Sequence, residues 1–282
     1  MTFLQWLQSR LPASTRTGRL ARRVFHALTP WVERNKHPWM LNALAARRRN
    51  VRFVQVGSND SGYGDPLNFH TMHHGWRGLM IEPLPHIYER LRKRYAGVEG
   101  LQFANVAIDR EPGSRPFYHL RRSDERGLPP WYDMLGSFSK ENVLKHQKYL
   151  ADIPERIVET SVRCQTFAGL CEEFGIERFD VLHIDAEGYD YEILKTIDLR
   201  RHQPTVVLYE DMHLSEADYR ASLAQLHEAG YFTHRDHADT FAVRRQALEE
   251  DAELMRAWAH LRRRSGSDPA APHFDGPSTR GR

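Results

Sequence analysis

Two cysteines in 282 residues, Cys164 and Cys171, are too few for a disulfide framework, and reduced thiols in a cytoplasm are the expectation. No apolar run is long enough to cross a bilayer, and no apolar signal-peptide core opens the chain, so secretion is not expected. The sequence also lacks both GxGxxG and a Gly-Lys-Ser/Thr phosphate loop, which argues against a nicotinamide-dependent oxidoreductase and a nucleotide triphosphatase. It has no internal repeat. Acid is scarce in one stretch only: residues 1–50 hold ten Arg/Lys and one Glu, so of a formal charge of +3 this stretch carries +9 and the remainder −6. Basicity confined to one end does not describe a nucleic-acid binder.

What is present begins with that basic end. Apolar residues recur at helical spacing (Phe3, Leu4, Trp6, Leu7; Leu20, Val24, Phe25, Leu28) between Pro12, Pro30 and Pro38, predicting two or three short helices. Their expected role is a cap whose Trp31, Trp39 and Leu41 cover the domain while the arginines face water. An arginine-rich amphipathic leader suits a membrane surface or organelle targeting as well.

The rest is organised around Phe179 to Leu199. Val181, Leu182 and Ile184 form an apolar run too short for a helix, Asp185 to Gly188 interrupt it, and Tyr189, Ile193, Leu194 and Ile197 follow helical spacing. That is strand, acidic turn, helix. Ligands of open α/β sheets bind outside the carboxyl ends of the strands, which puts Asp185 and Glu187 at a site; the plainer alternative is that both acids only cap the helix. Similar units surround this one. Val51 to Gly57 is a strand entering a turn rich in Gly, Asn, Asp and Ser; Arg77 to Glu82 is a strand closing in an acid about twenty-five residues beyond that glycine, near where such folds place the carboxylate that holds ribose hydroxyls. Leu101 to Ile108 reads as a third strand, Ile157 to Cys164 as a short one, and Pro204 to Glu210 as another that closes in an acid. Residues 111–130 read as a long loop, and Lys140 to Arg156 as an exposed helix with a turn at Pro154. A helix over 215–229 precedes an edge hairpin, and a helix over 246–264 leads into a Gly/Pro/Ser-rich tail, 265–282, expected to be disordered. The predicted class is α/β: a doubly wound, mostly parallel sheet with an antiparallel edge hairpin over 51–245, plus amino-terminal helices.

Acids and amides end four strands: Asn59/Asp60, Glu82, Asp185/Glu187 and Glu210. Such an edge suits a cationic or hydroxyl-rich ligand better than a pyrophosphate. The blocks VQVGSND, WRGLMIEPLP, NVAI, LGSF, VLHIDAEGYDYEILKTIDL, VVLYEDMHLS and GYF, in this order between about Val51 and Arg244, resemble the FkbM-type family of S-adenosylmethionine-dependent methyltransferases. The resemblance implies a seven-stranded Rossmann-like fold with its last hairpin reversed, and O-methylation of sugars or natural products. It implies that Gly57, Asn59 and Asp60 shape the methionine side of the cofactor site, that Glu82 holds the ribose, that Asn105 lies near the adenine, and that Ser137 and Phe138 close over it. In one place the chain departs from its relatives: a glycine usually follows the Asn-Asp pair, and Ser61 stands there.

Methyl transfer to an alcohol requires placement of the acceptor and a base for its proton. Asp185, Glu187, Glu210 and His213 are expected around the acceptor, with His213 or Asp185 as base. The same residues offer ligands to a divalent metal, but no tight ligand pair fixes a geometry, so a metal is not expected. His70, His73 and His74 have helical ligand spacing without a carboxylate nearby and read as a solvated helix face. The expected partner is a small-molecule or glycan acceptor, with peripheral membrane contact through the basic helices. From another class, the competing reading is a catalytically silent α/β scaffold that docks to a membrane or partner through those helices.

Overall fold

The computed structural model describes residues 38–48, 50–236 and 238–264. The first 37 residues and 265–282, with Trp31, the amphipathic leader and the tail, lie outside the described residues, and Trp39 is described in its backbone only.

Eleven strands form among the described residues: β1 Arg52–Val56, β2 Arg77–Ile81, β3 Leu101–Ala104, β4 Ala107–Ile108, β5 Gly113–Leu120, β6 Gly136–Ser137, β7 Ile157–Gln165, β8 Val181–Ile184, β9 Val206–Glu210, β10 Tyr231–Asp236 and β11 Asp239–Arg244. The helices used below are α1 Pro38–Arg47, α2 Asn68–His74, α3 Pro85–Arg94, α4 Lys140–Leu144, α5 Ile153–Arg156, α6 Phe167–Glu173, α7 Asp190–Lys195, α8 Leu199–His202, α9 Glu216–Glu228, α10 Arg245–Glu250 and α11 Ala252–Arg264.

The main sheet has seven strands in the order β10-β11-β9-β8-β1-β2-β3. All neighbours are parallel except the pairs made by β11. The class is the predicted one, α/β with a reversed edge hairpin. Among the parallel strands chain order runs outward from β1 in both directions, and the edge hairpin alone reverses it, with β11 inside β10, so the crevice between the carboxyl ends of β1 and β8 is the topological switch point. Alternation along the strands serves two cores: Val54, Val56, Leu182, Ile184, Val207 and Tyr209 face one way, while Phe53, Val181, Val206 and Leu208 face the other. The second core is closed by Met40, Leu41 and Leu44 of α1 against Leu254, Trp258 and Leu261 of α11.

Four expectations need correction. The strand read over 101–108 breaks at Asn105, whose side-chain amide donates to the carbonyls of Glu82 and Pro83, so that 101–104 joins the main sheet and 107–108 a second one. That second sheet, β4-β7-β5-β6, is built on an eight-residue strand inside the stretch read as a loop. Polar residues alternate unevenly there because the sheet is half-buried, and a weak period is hard to see. The 140–156 stretch is short helical pieces, with Pro154 in the first turn of α5 rather than at a helix end. The helix read over 246–264 is interrupted at Asp251, whose carboxylate accepts from the backbone N–H groups of Glu253 and Leu254 and starts a second helix. No described helix is long and apolar enough to cross a membrane.

Candidate active site

The carboxyl edge of β1 is a turn of unusual backbone. Gly57, Asn59 and Ser61 all have positive φ, at 74°, 52° and 52°. At Gly57 this is compulsory twice over, since a Cβ there would sit 1.7 Å from the Asp185 carbonyl oxygen. Ser61 takes the left-handed conformation with a side chain in place, and its hydroxyl donates to the Ser58 carbonyl at 3.2 Å. The turn is then tied to β2: the Asn59 N–H donates to one Glu82 oxygen at 3.0 Å and the Leu84 N–H to the other at 2.8 Å. Glu82 is 5% exposed, and burial pushes its carboxyl up to about 7 against the pull of those two N–H donors.

Asp60 is directed away from the cleft. It accepts from the Gly62 N–H at 2.9 Å and pairs with Arg90 at 3.0 Å, so it holds the shape of the turn. Asn59, by contrast, reaches across the cleft and donates to the Met134 carbonyl at 3.3 Å.

Between these turns lies a cleft of about 630 Å³, part of it open to solvent, lined among others by Gly57, Asn59, Glu82, Phe138, Asp185 and Glu187. One wall is aromatic. Phe138 packs edge-on against Phe117 and Tyr189, the Arg115 guanidinium lies 4.3 Å from the Phe138 ring centroid, and Asp109 fixes both Arg115 and the Tyr189 hydroxyl, at 2.7 and 2.8 Å. Asn105 and Ser137 are not on the lining; Asn105 braces the carbonyls after β2, and the Ser137 hydroxyl donates to the Glu187 carbonyl at 2.8 Å.

The turn after β8 separates two jobs that the sequence blurred. The turn itself is held by Asp190, the first residue of α7, whose carboxylate accepts from the N–H groups of Ala186 and Gly188 at 3.2 and 3.0 Å, and burial raises its carboxyl well above the ordinary range. Asp185 and Glu187 are thereby left to the cleft. Glu187 has φ 49°, in the left-handed region, a costly conformation for a residue with a side chain and one that clusters at functional sites. Its carbonyl is held by Ser137 and by the Asn142 side-chain amide at 3.0 Å. Gly188, at φ 94°, lets the insert approach: a Cβ there would lie 2.1 Å from the Asn142 Nδ2 and 3.0 Å from the His213 Cβ.

Beyond Glu187 the structure brings together the other expected acceptor residues. His213 Nε2 is 3.3 Å from a Glu187 oxygen and 3.9 Å from Glu210 Oε2, with the His213 and Glu210 side chains 5% and 10% exposed. Burial, then the charges of Asp185 and Glu187, pushes the Glu210 carboxyl well above its usual value. One member was not anticipated: His146, read as part of an exposed helix, is half-buried with its ring 5.7 Å from that of His213. Nothing in its local sequence marks it, because its neighbours are charged surface residues and its partner is 67 residues away. The His70, His73, His74 reading is corrected too: His70 is buried, stacked 4.4 Å from Trp76, and bonded to His74.

Solved structures with low similarity include a methyltransferase FkbM from Methylobacillus flagellatus (14% identity, 85% of this chain and 57% of that one, TM-score 0.43). A precorrin-6y C5,15-methyltransferase from Geobacter metallireducens is also similar (10%, 73% and 86%, 0.37), as is a human methyltransferase 10 domain containing protein (12%, 76% and 82%, 0.38). No curated protein matches the chain. The family model described as "Methyltransferase FkbM domain" matches residues 55–233, which takes in every element that borders the cleft. Because that match spans more than half of the sequence, the chain belongs to the FkbM family of S-adenosylmethionine-dependent methyltransferases.

Proposed function

We propose that the protein transfers the methyl group of S-adenosylmethionine to a hydroxyl of a sugar, glycolipid or natural product. The observation that carries the reading is the continuity of the cleft: it runs from Glu82, through Asp185, to Glu187, behind which stand Glu210 and His213. In this reading Glu82 accepts the ribose hydroxyls, each of its oxygens having an acceptor site beyond the one used by a backbone N–H. The aromatic wall of Phe117, Phe138 and Tyr189 takes the base, and the acids of the β8 turn favour the sulfonium charge over a neutral product.

Catalysis then needs an oxygen nucleophile in line with the methyl carbon and a group to take its proton. Asp185 is the base that fits. It lines the cleft, whereas His213 lies behind Glu187 with Nε2 turned to two carboxylates. Asp185 would take the alcohol proton, and S-adenosylmethionine, held by Glu82 and the aromatic wall, would supply the methyl group to that oxygen and leave as the neutral thioether that keeps the C–S electron pair. Calorimetric titration with S-adenosylmethionine, with a nicotinamide dinucleotide as control, tests the first half; saturable binding to the former only is expected. For the second half, Asp185→Asn should leave cofactor affinity within about threefold while slowing turnover on a screened hydroxyl acceptor by about 10²–10⁴-fold. Full turnover in that variant would remove Asp185 from the mechanism. A silent scaffold would bind no cofactor and has no need of a buried carboxylate held by backbone donors at the switch point.

A further inference from the structure

Three ligating side chains meet at the far end of the cleft from three separate segments: His146 from the insert between β6 and β7, Glu187 from the turn after β8, and His213 from the loop after β9. Their candidate ligand atoms lie within 4.8 Å of one another. We propose that these residues form a binding site for a divalent first-row transition metal, with Glu210 at hand as a further oxygen ligand. The inference deepens the proposed function by giving the acceptor hydroxyl a Lewis acid to lean on, and it rests on that reading only for this role; the metal site itself stands on its own geometry.

Two further observations point to a ligand here. The first is unspent bonding capacity. His213 Nε2 and Glu210 Oε2 are both buried without a hydrogen-bond partner, 3.9 Å apart on side chains 5% and 10% exposed. Among the described residues, the one group within ion-pair distance of that nitrogen besides Glu210 is a Glu187 oxygen at 3.3 Å, and a cation among the three would satisfy the imidazole nitrogen and the carboxylates at once. The second is preorganisation. Asn142 is shared: its side-chain amide donates to the Glu187 carbonyl at 3.0 Å, and its own carbonyl lies 3.4 Å from His146 Nδ1. A proton on Nδ1 directed at that carbonyl leaves the Nε2 lone pair for a metal, the outer-shell arrangement that orients ligating histidines. Glu187 is turned towards the histidines by its left-handed backbone, which the bonds from Ser137 and Asn142 hold in place.

The donor set narrows the ion. Two imidazoles and a carboxylate suit zinc, iron, cobalt, nickel or manganese, whereas magnesium and calcium prefer oxygen throughout. With only three protein ligands close together, coordination positions stay open for a water or an alcohol oxygen. Since Glu187 also lines the cleft, those positions face the place where an acceptor would lie. An alcohol bound there is more acidic and already placed, and its proton still passes to Asp185.

The test uses the full chain, stripped with a chelator, loaded with excess zinc or cobalt, desalted and measured for bound metal by plasma mass spectrometry, with visible absorption of the cobalt form as a second readout. One equivalent is expected in the wild type. His146→Ala, His213→Ala and Glu187→Gln are each expected to weaken metal binding at least a hundredfold and to remove the cobalt bands, while His74→Ala, in the other histidine cluster, retains one equivalent. S-adenosylmethionine titration and circular dichroism on the same variants show that they are folded. Metal-free wild type after loading, or retention unchanged in His146→Ala and His213→Ala, overturns the site. Cofactor binding without metal binding would sink this inference and leave the proposed function standing; metal binding without cofactor binding would do the reverse.

Discussion

The two ends of the cleft both hold a buried carboxylate, but the chain treats them differently. At the β2 end, each oxygen of Glu82 receives a backbone N–H, from Asn59 and from Leu84. At the β9 end, Glu210 keeps an oxygen without any hydrogen-bond partner, beside a histidine nitrogen in the same condition. The first is a finished site: the donors that hold the carboxylate belong to the turn and strand end that shape this part of the cleft. The second is unfinished, and a buried polar atom that the fold does not satisfy stores binding energy for whatever arrives. Under the proposed function, recognition of the cofactor would be built into local backbone, and handling of the acceptor into side chains from distant segments.

The largest effect separating the two ends should come from Glu82→Gln, which exchanges one acceptor oxygen for a donor. S-adenosylmethionine affinity is expected to fall by at least about 100-fold, the loss of two charge-assisted hydrogen bonds; isothermal titration reads it, and a change under threefold would deny Glu82 the ribose.

A pH effect of similar size follows from the same group. Its carboxyl is raised from 4.5 to about 7 in the fold, so between those values the native state keeps a proton that the unfolded chain has released. Stability is therefore full below about pH 4.5, falls as pH rises towards 7, and levels off above, with at most about 3 kcal/mol at stake for Glu82. Melting temperatures of ligand-free protein at pH 5 and pH 8 should show this decline, and Glu82→Gln should flatten it; equal slopes in both proteins would contradict the assignment.

A smaller change of opposite sense is expected at the unfinished end. Glu210→Gln removes a buried carboxyl whose ionisation burial and the neighbouring acids oppose, and should stabilise the metal-free, ligand-free protein by about 1–3 kcal/mol, a rise of about 2–10 °C in melting temperature. Glu82→Gln should give no such gain at neutral pH, because it strips an acceptor from a backbone N–H. If both variants gain equally, the contrast between the two ends fails.

How much of this could be read in advance tracks the distance between cooperating residues. The β8 unit was legible because strand, turn and helix are contiguous, and an apolar run, a glycine and a helical period appear within one window of residues 179–199. Glu82 was legible because the spacing from the glycine turn is itself a local quantity. The acid that holds the turn was not: Asp185, Glu187 and Asp190 are three acids within six positions, and only the bonds to the Ala186 and Gly188 N–H groups single out Asp190. In the β4-β7-β5-β6 sheet the strand over 157–164 was legible, whereas β5 was not, because a half-buried strand blurs the two-residue alternation.

By itself the sequence determined the α/β class, the reversed hairpin and the run of acids along one sheet edge, since each depends on periodicities and turn chemistry carried within a few neighbouring residues. Only the tertiary structure decided which of those acids face the cleft, that Asp60 serves the turn, and that His146 stands beside His213. The physical reason is packing. Gly188 lacks the Cβ that would collide with Asn142, so the insert can close on the β8 turn, and a contact between segments 67 residues apart leaves no periodic trace in either one.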